Sequence, residues 1–175
     1  MTHNVAPQFF TKMFDLSYGA MFRNLEGLTH DESLLAPPSG GNSLNWVVGH
    51  IVATRNRILP LVGVAPLWPR EHAMLYSGRD DAGWSVERAL ALDTIKTDLA
   101  RSQQSLLSAL DAMPQNALAA ATEQGQMLGD VLGFFHFHES YHGGQIALIR
   151  RLLGHAGVIK PPATPRQSGA YRIQP

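Results

Sequence analysis

His138 and His142 stand four residues apart in the run His138-Glu139-Ser140-Tyr141-His142-Gly143-Gly144-Gln145, inside an apolar segment with helical periodicity. At that spacing two side chains leave a helix on the same side, about one turn apart. The arrangement suits two imidazoles sharing one metal ion. A third histidine, His50, sits midway along an earlier helical segment. Three protein ligands leave one coordination position open, the property that separates a catalytic metal site from a structural one. The other histidines are less well placed: His136 projects elsewhere on the same helix, and His3, His30, His72 and His155 fall in termini, loops or helix ends. His30 and His72 read as ordinary surface residues. Spacing does not by itself choose the third ligand, although the pattern favours His50. Core histidines satisfied by ordinary hydrogen bonds are the alternative, and the geometry of one helix leaves it open.

Four segments carry the helical period that must position these side chains, and none shows the alternation of a strand. The first covers residues 8–28, with Phe9, Phe10, Met13, Leu16, Ala20, Met21 and Leu25 as its apolar set. A loop rich in Pro and Gly follows at residues 34–41. Asn42 or Ser43 can cap the second helix, residues 43–59, which Pro60 ends. Trp46, His50 and Arg57 fall near one face of it, beside Val47, Val48, Ile51 and Ile58.

Residues 62–83 contain Gly63, Pro66, Pro69, Gly78 and Gly83 and read as a long crossover loop. Its Leu67, Trp68 and Tyr76 are expected as exposed aromatic and apolar contacts, at a pocket mouth or a partner surface. Ser85 is expected to cap a third helix, residues 86–113. The fourth, residues 127–153, stops at Gly154, which suits a left-handed C-terminal cap. On it the inward line is read as Leu128, Val131, Phe135, His138, His142, Gln145, Ile149 and Leu153. The expected fold is all-α, a four-helix bundle with crossover connections over residues 1–154. Residues 155–175 follow as a Pro-rich C-terminal tail.

Composition narrows the chemistry. The 175 residues are 45% hydrophobic and 16% charged, with zero formal net charge. No basic excess supports nucleic-acid binding. Cysteine is absent, so thiolate ligands, a protein thiol nucleophile and disulfides are excluded. The first residues lack the basic and apolar regions of a secretory signal, and no run approaches the ~18 apolar residues of a membrane span. A cytoplasmic location is the expectation.

Two motifs carry a family resemblance. Asn42-Ser43-Leu44-Asn45-Trp46-Val47-Val48-Gly49-His50 resembles the second-helix signature of the DinB/YfiT-like metal-binding four-helix bundles. The run His138 to Gln145 resembles their last-helix signature: histidine, three residues, histidine, then Gly-Gln two residues on. The resemblance covers the chain to about Gly154. It implies that His50, His138 and His142 are the ligands of one divalent metal, zinc first and nickel next, with iron and manganese also acceptable to imidazoles. It further implies a homodimer and activation of a low-molecular-weight thiol for attack on a small-molecule electrophile. Many members carry an Arg after the second histidine of the last motif. Here that position is Gly143, so an anion contact by that Arg is not expected.

Around the triad, Gln145 is read either as an acceptor for a ligand imidazole or as a helix-packing residue. Glu139 and Tyr141 are placed on flanking faces, Glu139 as a solvated or helix-paired carboxylate rather than a general base. Arg57 is read as a surface residue that could hold a substrate carboxylate, and Trp46 as a core residue that could wall the pocket. Three functions follow. One is a metal-dependent thiol S-transferase or related hydrolase. The second is a non-catalytic metal-binding bundle, and the third a bundle with core histidines and no metal.

Overall fold

The structure is a computed structural model that describes residues 6–38, 40–78 and 83–159. Its helices are α1 (Pro7–Leu25), α2 (His30–Leu34), α3 (Leu44–Ile58), α4 (Arg70–Leu75), α5 (Leu92–Ala112) and α6 (Leu128–Leu152). The four long helices form the bundle. α1 packs on α5 and α6, and α3 packs on the same two, so α1 and α3 lie across one diagonal and α5 and α6 across the other. The chain therefore crosses the bundle between α1 and α3 and again between α5 and α6. The expected all-α bundle with crossover connections is the fold observed.

Local chemistry sets the helix ends. Pro7 opens α1, where its missing N–H is no loss. The Ser43 side chain accepts from the Trp46 N–H at 3.3 Å and caps α3. A single 3-10 turn (Leu59–Val62) extends α3 before Gly63 stops it in the left-handed conformation, φ 79°. Gly154, φ 90°, does the same after α6. Residues 155–159, assigned to the tail, are tied down: His155 pairs with Glu32 at 2.8 Å, and Arg150 Nε donates to the Ala156 carbonyl. The rest of the predicted tail lies outside the described residues.

Three expectations need correction, and one helix was not anticipated: α2 lies in a stretch left unassigned between the first helix and the loop, and Thr29 and Glu32 form its capping box, a signature present in the sequence. The third helix starts at Leu92, not residue 86, because residues 89–91 are extended and only Val86–Arg88 make a 3-10 turn. Leu90 explains this: its N–H donates to Tyr76 Oη (2.8 Å) and its carbonyl accepts from Asn45 Nδ2 (2.9 Å). Those tertiary bonds take the groups a helix would have used. Residues 62–83 are not a structureless loop, since they hold α4, and Trp68 and Tyr76 are buried in the core instead of exposed. On α1, Phe9 and Leu16 are exposed, and the buried face runs through Phe10, Phe14, Met21 and Leu25.

The apolar core has two parts. One gathers Met21, Leu25, Val48, Ile51, Ile95, Leu99 and Ile146 with others, and the second gathers Phe10, Phe14, Ile58, Leu106, Leu110, Leu132 and Phe135. Between them each long helix contributes one polar residue: Ser17, Arg55, Ser102 and Glu139. Arg55 Nε and Nη2 donate to the two Glu139 oxygens at 2.9 and 2.7 Å. Arg55 Nη1 also donates to Ser102 Oγ, and Ser17 Oγ donates to Glu139 Oε1. Arg55 and Glu139 are only 1% and 2% exposed.

Candidate metal centre

α3 and α6 lie side by side, and their facing surfaces bring His50, His138 and His142 together. His50 Nε2 lies 3.1 Å from His138 Nε2, and His142 Nε2 lies 3.2 Å from the same atom. Among the described residues these three form the one cluster of potential ligand atoms drawn together within 4.8 Å.

The second-helix motif of the sequence can be read residue by residue in this geometry. Trp46 stacks on His50 with ring centroids 4.7 Å apart and planes 9° from parallel. Asn45 Oδ1 accepts from Tyr76 Oη at 2.9 Å, which fixes the fully buried tyrosine. Gly49 lets that ring lie against α3: a methyl group there would fall inside Tyr76. The placement brings the Tyr76 carbonyl to 2.7 Å from His50 Nδ1. On α6, Gln145 Oε1 lies 2.7 Å from His142 Nδ1, so of its two readings the acceptor for an imidazole is the one observed.

These partners settle where the protons sit. A carbonyl oxygen only accepts, so His50 Nδ1 and His142 Nδ1 carry the hydrogens and donate them. Neutral His50 and His142 then present bare Nε2 lone pairs, and both face His138 Nε2. One nitrogen can supply at most one proton to two lone pairs. His138 Nδ1 is itself buried without a partner. Protein hydrogen bonding cannot satisfy this set, whereas one cation among the three nitrogens would satisfy every lone pair. The donor set therefore fits a metal ion.

The electrostatics agree. Burial pushes the His138 pKa down from 6.5 to about 4, helped by the positive fields of His142 and His50 and opposed by Glu139. Burial likewise lowers His50, where the bond to the Tyr76 carbonyl opposes it and His142 and Arg57 add to it. Burial also lowers His142, against the bond to Gln145. All three are held as neutral imidazoles, the form that binds metals.

A pH dependence of the metal-free protein follows. The unfolded chain takes up a proton at His138 near pH 6.5, whereas the folded chain does so only near 4. The His138 contribution to stability is therefore fully present above pH 6.5 and is lost as pH drops from there toward 4. Denaturant unfolding of chelator-treated protein between pH 7 and 4 should show this decline, with a shallower slope for His138→Ala. Equal slopes would place the acid sensitivity elsewhere.

The inward line of α6 differs from the one read in the sequence. It runs through Leu128, Leu132, Phe135, Glu139, His142, Ile146 and Ile149, so Glu139 occupies its centre and His138 only its edge. Glu139 is thus neither solvated nor flanking, and Arg55, its partner, was not singled out at all. The signal for both was a charge at a buried register position on each of two facing helices. Tyr141 is exposed. Gly143 faces α1, where an added methyl would lie 3.1 Å from Met21 Cγ. His136 turns away, edge-on to Phe14, and His72 lies edge-on to Trp68. His30 is exposed and accepts from the Leu92 N–H at 3.3 Å. His3 lies outside the described residues.

A cavity of about 570 Å³ opens beside His50, walled by α3, α4 and the segment between them. Arg57, exposed but not idle, lines it, with its guanidinium carbon 5.5 Å from the Phe135 ring centroid. Trp68, buried instead of presented to solvent, forms part of its wall. Among the described residues no helix is long and apolar enough to cross a membrane.

A conserved protein from Enterococcus faecalis has a similar solved structure, with a TM-score of 0.65 at 20% identity. The alignment covers 83% of this chain and 95% of that one, and at such identity it establishes the fold. No curated protein matches the sequence. The sequence profile of the DinB superfamily matches residues 13–146, which span α3, α5 and most of α6 with all three histidines. The chain belongs to the DinB superfamily.

Proposed function

We propose that His50, His138 and His142 hold one divalent metal, zinc first and nickel next, in a thiol-dependent S-transferase acting on a small molecule. The observation that carries this reading is the convergence of three Nε2 atoms whose lone pairs protein hydrogens cannot all meet. A divalent ion with an open position lowers the pKa of a thiol or water that binds there. The chain's residues supply the rest. Tyr76 and Gln145 orient two of the imidazoles, and Trp46 holds the His50 ring plane. With no cysteine of its own, the protein would draw the sulfur from a low-molecular-weight thiol.

The related hydrolase reading is less well supported. Water attack gains from a general base, yet both oxygens of Glu139 are taken by Arg55 and the cavity beside His50 has no Asp or Glu in its lining. A thiol is far more acidic than water before it meets a metal, so it can lose its proton to solvent with less need of such a base. The same lack of a base also suits a non-catalytic metal-binding bundle, whose distinguishing result is metal without turnover. A homodimer finds support in the outer face of α6, where Phe134, Phe137, Tyr141, Leu148 and Leu152 are all more than half exposed.

The test is an assay of the metal-loaded protein with an activated aryl halide. Bacillithiol, mycothiol and glutathione are supplied in turn. Turnover that requires both metal and an added thiol is expected. Turnover with water alone would replace the transferase with the hydrolase, and none with any thiol would leave the non-catalytic bundle.

A further inference from the structure

The cavity beside His50 has an unbalanced charge. Its lining includes His50, Arg57, Arg70, Trp68, Ala73 and Met74, and contains two guanidiniums and no carboxylate. The whole chain is neutral, with 14 basic and 14 acidic residues, so this imbalance is local. Three of the other arginines are engaged: Arg55 with Glu139, Arg101 with Asp98, and Arg150 with the carbonyls of Asn24, Glu26 and Ala156. Arg57 and Arg70 have neither an ion pair nor a hydrogen bond to any described residue. The ring of Phe135 lies beneath the Arg57 guanidinium, which leaves its N–H donors available.

The rest of the wall is fixed and mostly apolar. Asn56 is part of the lining, but its amide is consumed: Oδ1 accepts from the Leu67 and Trp68 N–H groups, and Nδ2 donates to the Trp68 carbonyl. That side chain therefore holds the loop in place and has nothing left for a ligand. A cavity of about 570 Å³ is of the size that encloses a small organic molecule.

We infer that this cavity binds a small organic carboxylate, its charged group on Arg57 and Arg70 and its apolar body against Trp68 and Met74. A guanidinium presents a planar pair of donors that matches a carboxylate. An apolar wall favours a carboxylate on a hydrophobic body over a free inorganic anion. The inference deepens the proposed function, since the bound molecule would lie beside His50, and it names the substrate class as carboxylate-bearing.

The experiment is calorimetric titration of the full chain, metal-free and metal-loaded, with phenylacetate, its neutral isostere phenylacetamide, and inorganic phosphate. Phenylacetate should bind both forms, and phenylacetamide at least tenfold more weakly. Arg57→Gln and Arg70→Gln, both at exposed positions, should each weaken phenylacetate by roughly tenfold while leaving metal content unchanged. Absence of phenylacetate binding overturns the inference. So does equal binding of phenylacetamide, tighter binding of phosphate, or affinity within twofold of wild type in both variants. Failure of the metal reading would look different: no metal in the wild-type protein, with phenylacetate binding intact.

Discussion

Changing His138 to alanine is expected to abolish metal binding, taking about one ion per chain in tag-free protein to a residual trace. His138 Nε2 is the atom that both other imidazoles face, at 3.1 and 3.2 Å, so its loss leaves only two ligands, one on each helix, with the central donor gone. The effect should be graded across the site. Gln145→Ala removes only the acceptor that orients His142, and a loss of about 10–100-fold in affinity is expected for such a partner. His138→Ala should exceed that, and His72→Ala, on the edge of Trp68, should change nothing. Elemental mass spectrometry on the three variants decides the order, with circular dichroism to show that the helices persist. Stoichiometric metal retained by His138→Ala would remove the triad from consideration. The enzyme reading would go with it.

The second large effect concerns stability. Glu139→Gln should destabilise the fold by about 3–5 kcal/mol, because it leaves the Arg55 guanidinium charged and uncompensated in the interior. For a chain of this length that corresponds to a melting temperature lower by roughly 6–20 °C. The charge has no route to water, since Arg55 is 1% exposed and its remaining contacts are Ser102 and the face of Tyr18. Replacing both partners with methionine should restore most of the loss, since no unpaired charge remains and the volume is kept. Chemical denaturation of the single and double variants measures this. A loss below about 1 kcal/mol for Glu139→Gln would mean that water or a rearranged partner reaches Arg55. The pair also ties α3 to α6, the two helices that carry the histidines. Metal affinity of the single variant should therefore fall even where the protein remains folded.

Much of the fold was legible because long helices announce themselves by period. The apolar spacing of residues 43–59 and 127–153 came within two residues of the ends of α3 and α6, whose limits are written in Ser43, Gly63 and Gly154. The third helix was not, because its first turn is a contest between helical hydrogen bonds and those offered by Asn45 and Tyr76, 45 and 14 residues away from Leu90. Nothing local records that competition. The loop at residues 62–83 misled for a similar reason. Its Gly and Pro content is real, but Trp68 and Tyr76 turn inward only because Gly49 leaves room for a ring and Asn56 holds the backbone that carries Trp68.

The sequence by itself determined that His138 and His142 share a side of one helix, because the 3.6-residue period is a property of the backbone. It also excluded thiolate ligands, because there is no cysteine. Tertiary structure decided the rest. A rotation of α6 by a fraction of a turn placed Glu139 at the centre of the buried face and His138 at its edge, and the partner that makes this tolerable, Arg55, lies 84 residues away. The same packing brought His50 Nε2 within 3.1 Å of His138 Nε2 and left Arg57 with no ion pair among the described residues, beside a cavity. Facing side chains on different helices meet through the angle and register of the helices, and those are set by the whole core at once.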